Sequence, residues 1–274
     1  MIDIQEILST LPSELWHSSP RMRLKAARAL SDEQKGALQK FIAGDAPMRP
    51  WPFGMATVAN PYIIFLGPSP GNSRSSKDAG LPQDPLALPT VGKPHPGMDY
   101  RDTRGYWDKI REATKFLIRS LEPTMPEGDH ISLMGKLNLG VGEFGSADSG
   151  VVEDVYLDWT PRVIVQRLRP MVLVLSGMKG ILTRNPIIRD SLSTAFGVNF
   201  CAPERTEVFK YLGKNGSAKH LTYKLWAPTW SGNKPIIVQW PQHPSRAPFT
   251  NVEKWQEPWR QFRDLDFVNS RLEK

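Results

Sequence analysis

Apolar positions in this chain fall into two kinds of pattern. Four short runs, PYIIFL at 61–66, ISLMGKLNL at 131–139, MVLVL at 171–175 and PIIVQW at 235–240, are continuous or nearly so and are flanked by turn-forming residues, as buried strands are. The stretch 106–121 instead spaces Trp107, Ile110 and Leu117 for one helical face, and Thr160-Pro161 is a good helix start because Thr caps and Pro needs no donor at the first helical position. Towards the N-terminus, residues 3–11 are amphipathic and end at Pro12, and Ser31-Asp32-Glu33-Gln34 is a capping-box signature before a helix over 35–42. Repeated strand–helix–strand units favour a mostly parallel sheet with helices on both faces, so the expected class is α/β with a helical preface. A Pro-rich connector at 46–52 separates the two parts, and no internal repeat is visible.

Composition narrows the partners more than the fold. A chain of 274 residues can bury one substantial core. Its net charge of +7 makes a polyanionic partner plausible. Arg21, Arg23, Lys25 and Arg28 lie in one helix-like stretch, read either as a solvated face or as a contact to a DNA backbone. Cys201 is the only cysteine, which excludes an intramolecular disulfide. The histidines, His17, His95, His130, His220 and His243, show no HExxH spacing, so neither a metal nor another cofactor is expected. The apolar runs are too short to span a bilayer, and the first residues lack the basic start and apolar stretch of a signal peptide; the expectation is a cytoplasmic monomer.

Two loops far apart in the chain carry the chemistry. FLGPSPGNS at 65–73 and VQWPQHPSR at 238–246 each follow a strand-like run, and in an open α/β sheet ligands bind at strand C-termini. Gly67 and Gly71 allow close backbone approach to a ligand, whereas Pro68 and Pro70 stiffen the turn. The second loop presents His243 beside Ser245 and Arg246. Residues 73–100, rich in Pro and Gly, are expected to form long loops over the site, and 140–150 a Gly-rich connector.

The pair resembles the uracil-DNA glycosylase superfamily, whose first motif reads GQDPY, GMNPG or GINPG and whose second reads HPS or NPS; here they read GPSPG and HPSR, roughly 175 residues apart. Between them, RGYWDKIREATKF at 104–116 is similar to the NRFW-type helix of the mismatch-specific uracil/thymine branch. HISLMGKLNLG at 130–140 occupies the place of the family's second strand. Residues 156–181 resemble its helix, third strand and Gly-Ser loop, and 252–267 its C-terminal helix. The likeness covers about 60–267. It implies a three-layer α/β/α glycosylase-like domain over 60–274 with a helical extension, 1–59, packed on it. The lone cysteine separates the chain from the branches that hold an iron–sulfur cluster.

The resemblance also implies an activity: hydrolysis of the N-glycosidic bond of a flipped-out pyrimidine in DNA, leaving an abasic site. It makes His243 the donor to the departing base. Ser69 stands where Asp or Asn usually activates water, and serine is a poor general base without an activator. Asn72 and Asp102, and after them Asp99, are therefore further candidates for the water. Gly67 and Pro68 would border the base and Tyr100 would stack on it. Met134 or Gly135 falls near the family's base-reading Asn, with Asn138 displaced by several positions and Gly135 leaving room for a bulky substituent. Ser176 and Lys179 would contact phosphate, and Ser245 and Arg246, with Phe249 as a wedge, would enter the duplex. The target implied by these departures is a hypermodified cytosine such as glucosylated hydroxymethylcytosine in phage DNA. Three alternatives stay open: uracil or mismatch repair, a glycosylase-fold DNA-binding module without catalysis, and an N-glycosidase for small nucleosides.

Overall fold

The computed structural model describes residues 4–43, 61–68, 114–119, 121–126, 130, 133–139, 160–212, 216–228, 230, 234–240 and 252–272. The four apolar runs form β1 (Ile63–Gly67), β2 (Met134–Asn138), β3 (Val172–Leu175) and β6 (Ile236–Gln239), and all four are mutually parallel through the pairs β2–β1, β1–β3 and β3–β6. Two strands that the hydrophobic pattern does not suggest, β4 (Arg205–Leu212) and β5 (Ala218–Trp226), form an antiparallel hairpin that extends the sheet to six strands in the order β2-β1-β3-β6-β5-β4.

Side-chain alternation along these strands divides the core in two. On one face, Ile64 and Leu66 of β1, Leu173 and Leu175 of β3 and Ile237 of β6 pack with the N-terminal helices α1 (Ile4–Thr10), α2 (Pro20–Ala29) and α3 (Asp32–Ala43) through Ile7, Ala26, Ala27 and Leu38. The same cluster takes in a π-helical turn (Ile164–Leu168) and the pair α4 (Lys179–Arg184) and α5 (Pro186–Phe196). On the other face, Ile63, Phe65, Val174 and Val238 pack with Leu117 and Ile118 and with α6 (Val252–Arg263) and α7 (Asp266–Leu272) through Trp259, Phe262 and Val268. Helices therefore cover both faces of a mostly parallel sheet, and the helical preface shares its core. None of the described helices is long and apolar enough to cross a membrane.

Local signals explain most boundaries. The Ser31 hydroxyl accepts from the Gln34 amide at 3.1 Å while the Gln34 side chain accepts from the Ser31 amide at 3.0 Å, the reciprocal capping box that starts α3. The C-terminal segment read as one helix over 252–267 is two, α6 and α7, separated by a turn at Asp264-Leu265. Of the helix expected over 106–121, residues 114–119 are helical, and Trp107 and Ile110 lie outside the described residues.

The basic stretch of α2 divides as well. Arg23 is fully buried: its guanidinium donates to the carbonyls of His17 (2.6 Å), Pro61 (3.0 Å) and Arg169 (3.3 Å) and sits 5.8 Å from the Tyr62 ring centre. Desolvation by burial draws its pKa below the usual arginine range, to about 10, so it remains charged at neutral pH. Pro61 precedes β1 and Arg169 precedes β3, which puts α2 at the N-terminal end of the parallel strands. Arg21, Lys25 and Arg28 line an open groove there with Met22, Met125 and Glu122. Neither reading of the stretch, solvated face or DNA-backbone contact, therefore holds for Arg23, whose side chain is buried and structural, and its neighbours lie at the end of the sheet away from the strand C-termini.

Candidate functional site

Where strand order reverses in an open α/β sheet, the loops from neighbouring strands part and leave a crevice. Here the chain goes from β1 outward to β2 and then returns past β1 to β3, so the reversal lies between β1 and β3. Their C-terminal ends are level with those of β2 and β6. The Leu139 amide donates to the Gly67 carbonyl at 2.9 Å, the Ser176 amide to Leu66 at 2.8 Å, and the Trp240 amide to Leu175 at 3.2 Å. At a spacing of about 4.8 Å per strand, the ends of β1 and β6 are about 10 Å apart with β3 between them. The two motif-bearing loops, so distant in sequence, begin on either side of a single strand.

That central strand ends in the turn Ser176-Gly177. Gly177 has φ 73°, a left-handed conformation that only glycine adopts without strain, and it turns the chain into α4. Met178 is buried beneath the turn and Lys179 is exposed beyond it. Ser176 is completely buried, and its hydroxyl has no hydrogen-bond partner among the described residues. Leaving such a group unsatisfied costs about 1–3 kcal/mol. Ser176→Ala is therefore expected to stabilise the free protein by about 1 kcal/mol, measured by urea unfolding, because it removes the orphan without opening a cavity.

The start of the second loop is held rigidly. Trp240 is buried and stacks on Trp259 of α6, with centroids 4.1 Å apart and planes 15° from parallel, while the Tyr223 ring meets it edge-on at 4.8 Å. Phe65 of β1 also contacts Trp259 edge-on at 6.3 Å. One indole of α6 thus ties together the strands from which both loops depart. Gln239, only 6% exposed, closes β6 beside Leu175 and Lys224.

Apart from Gly135, the sequence-derived site residues fall into two groups. Gly67 and Pro68 lie at the β1 end, Ser176 in the turn after β3 and Lys179 at the start of α4, so these four share one edge of the sheet. Ser69, Asn72, Asp99, Tyr100, Asp102, His243, Ser245, Arg246 and Phe249 lie outside the described residues.

Gly135 is in neither place expected of a pocket wall. It pairs with Ile64 near the start of β2, an edge strand, and a Cβ built on it would meet Ile64 Cγ1 at 3.2 Å and Pro61 Cβ at 3.3 Å. The room anticipated there for a base substituent is filled by β1, and glycine serves close strand packing instead. Asn138 is the residue at the strand end, in register with Gly67. Among the described residues, no group of three His, Cys, Asp or Glu side chains is placed to hold a metal ion.

Comparison with known proteins finds no matching family model, no matching curated sequence and no matching solved structure.

Proposed function

We propose that the chain is a DNA glycosylase of the uracil-DNA glycosylase type, which hydrolyses the N-glycosidic bond of a flipped-out modified pyrimidine and leaves an abasic site. The observation that carries this reading is the convergence at one sheet edge. The strand leading into GPSPG and the strand leading into HPSR flank the Ser176-Gly177 turn at the point of order reversal. That convergence is what the motif resemblance requires, and it is not implied by either motif alone.

In this mechanism the duplex first surrenders the target nucleotide at a cost of roughly a few kcal/mol. As the C1′–N bond lengthens, the sugar becomes oxocarbenium-like and the base becomes anionic. His243 donates a hydrogen bond to the base oxygen and stabilises that charge. Water adds its oxygen to C1′ and gives up a proton, and the base leaves with the electron pair of the broken bond and is protonated. Ser69 orients the water, with Asn72 or Asp102 as the alternative partner. Tyr100 stacks on the base, Ser176 and Lys179 hold the phosphate chain, and Ser245 and Arg246 occupy the gap left in the duplex.

The base itself is the open choice. Ser69 in place of Asp or Asn, and the long Pro/Gly segment 73–100, favour a hypermodified cytosine. Asn138, whose backbone ends β2 in register with Gly67, is the residue type that would favour an unadorned pyrimidine edge. Incubation with uracil, thymine-mismatch and glucosylated-hydroxymethylcytosine DNA, followed by direct counting of abasic sites, decides between them. Abasic sites from glucosylated DNA alone are expected. Release from uracil alone rejects the hypermodified target, and binding with no release from any substrate replaces the enzyme with a binding module.

A further inference from the structure

The β4–β5 hairpin is longer than the sheet it joins. β5 pairs with β6 only through Lys224, Leu225 and Trp226, and Lys224 lies opposite Gln239, the last residue of β6. The pairs from Glu207↔Tyr223 to Leu212↔Ala218 therefore continue past the end of β6 in the direction of the strand C-termini. At about 3.3 Å per residue the ribbon projects roughly 20 Å beyond the edge where the candidate site lies.

Its two faces differ. Phe209, Leu221, Tyr223 and Leu225 are buried with α6 and Trp240. The opposite face is covered by Phe200 only as far as Trp226. Beyond that point it presents the cross-strand pairs Thr206/Lys224, Val208/Thr222 and Lys210/His220, all of them exposed except the partly exposed Lys224, and Val208 is 54% exposed. These three pairs carry no carboxylate, since Glu207 belongs to the other face, and Glu204 at the base of the ribbon accepts from the Ala227 amide at 2.9 Å. Among the described residues, neither the Lys210 nor the Lys224 ammonium has a hydrogen-bond or ion-pair partner. One lysine would suffice to guard an edge strand against aggregation. A two-stranded face of cations and hydroxyls around one exposed aliphatic residue exceeds that need.

We propose that this ribbon is a DNA-binding arm that lies in the major groove of duplex DNA beside the target nucleotide; the proposal rests on the glycosylase reading of the adjacent edge. The major groove of B-form DNA admits a two-stranded ribbon, whereas the deep, narrow major groove of an RNA duplex does not. Lys210 and Lys224 reach the phosphates on either side, Thr206 and Thr222 offer hydroxyls, and Val208 meets apolar base edges such as the thymine methyl group. The chain's net charge of +7 fits the polyanion.

The test compares the full chain with Lys210→Ala/Lys224→Ala and, as a charge-matched control, Arg21→Ala/Lys25→Ala at the far end of the sheet. Each is titrated with a duplex lacking any modified base across a salt series, and base release is measured separately at saturating protein. The ribbon variant is expected to bind roughly tenfold more weakly at moderate salt, with the slope of log affinity against log salt reduced by about 0.9 for each phosphate that is no longer neutralised. The control is expected to match the wild type. Equal losses in both variants, or none in the ribbon variant, overturn the arm and leave edge protection as the lysines' role, whether or not base is released. Preference for single-stranded DNA also overturns it. A ribbon-dependent salt slope without base release by any variant upholds the arm and refutes the glycosylase instead.

Discussion

His243→Ala is expected to lower single-turnover base release by about 10²-fold or more while leaving DNA affinity within a few-fold of wild type. The asymmetry follows from when the charge develops. A pyrimidine still attached to the sugar is neutral, so a donor aimed at its oxygen contributes little to ground-state binding. The departing base is anionic, and in a site shielded from water a fixed donor then contributes several kcal/mol. The loop bearing His243 leaves the sheet at Trp240, which is clamped between Trp259 and Tyr223, so its first residues are anchored before substrate arrives. The measurement is abasic-site formation under single-turnover conditions, with binding of a non-cleavable duplex as its companion. A folded His243→Ala protein that releases base at the wild-type rate removes His243 from the mechanism. Equal loss of binding and turnover would make it a substrate-positioning residue.

What could be read from the chain, and what could not, follows from where the information lies. The parallel strands β1, β3 and β6 were legible because strands buried on both faces are continuous apolar runs, and IIFLG, VLVL and IIVQ have no polar interruption except at their ends. The hairpin escaped because its solvent-facing half is polar. RTEVFKYL and AKHLTYKLW alternate, and the KNG between them is a turn signal that deserved a strand on either side. Composition does not separate Arg23 from its neighbours, but helical spacing does: Arg21, Lys25 and Arg28 stand at i, i+4 and i+7 on one face of α2, and Arg23 lies on the opposite, buried one. The placement of Gly135 is a question of position along the strand: three residues separate Gly135, near the start of β2, from Asn138 at its end. Motif order, by contrast, survives without register, so the two loops could be paired from sequence alone.

Arg23→Ala is expected to destabilise the fold by about 3–5 kcal/mol, the largest stability effect of any single truncation in the helical preface. Three backbone carbonyls lose their donor at once: His17 in the segment before α2, Pro61 at the entrance to β1 and Arg169 at the entrance to β3. Tyr62 also loses the cation beside its ring. Arg169 is the one described non-glycine residue with positive φ, 45°, so its carbonyl is presented by a strained backbone that the guanidinium helps to hold. Lysine cannot replace the arginine, because a single ammonium on a flexible stem does not reach three carbonyls in a fixed fork; Arg23→Lys should recover less than half of the loss. The consequence reaches the site, because β1 and β3 are the strands between which the order reverses, and loosening their entrances loosens the register on which Gly67 and Ser176 depend. Urea unfolding of the two variants measures the first effect, and base release by the folded fraction measures the second. A loss of under 1 kcal/mol in Arg23→Ala would mean that water satisfies those carbonyls and that the helical preface is held to the sheet by its apolar contacts alone.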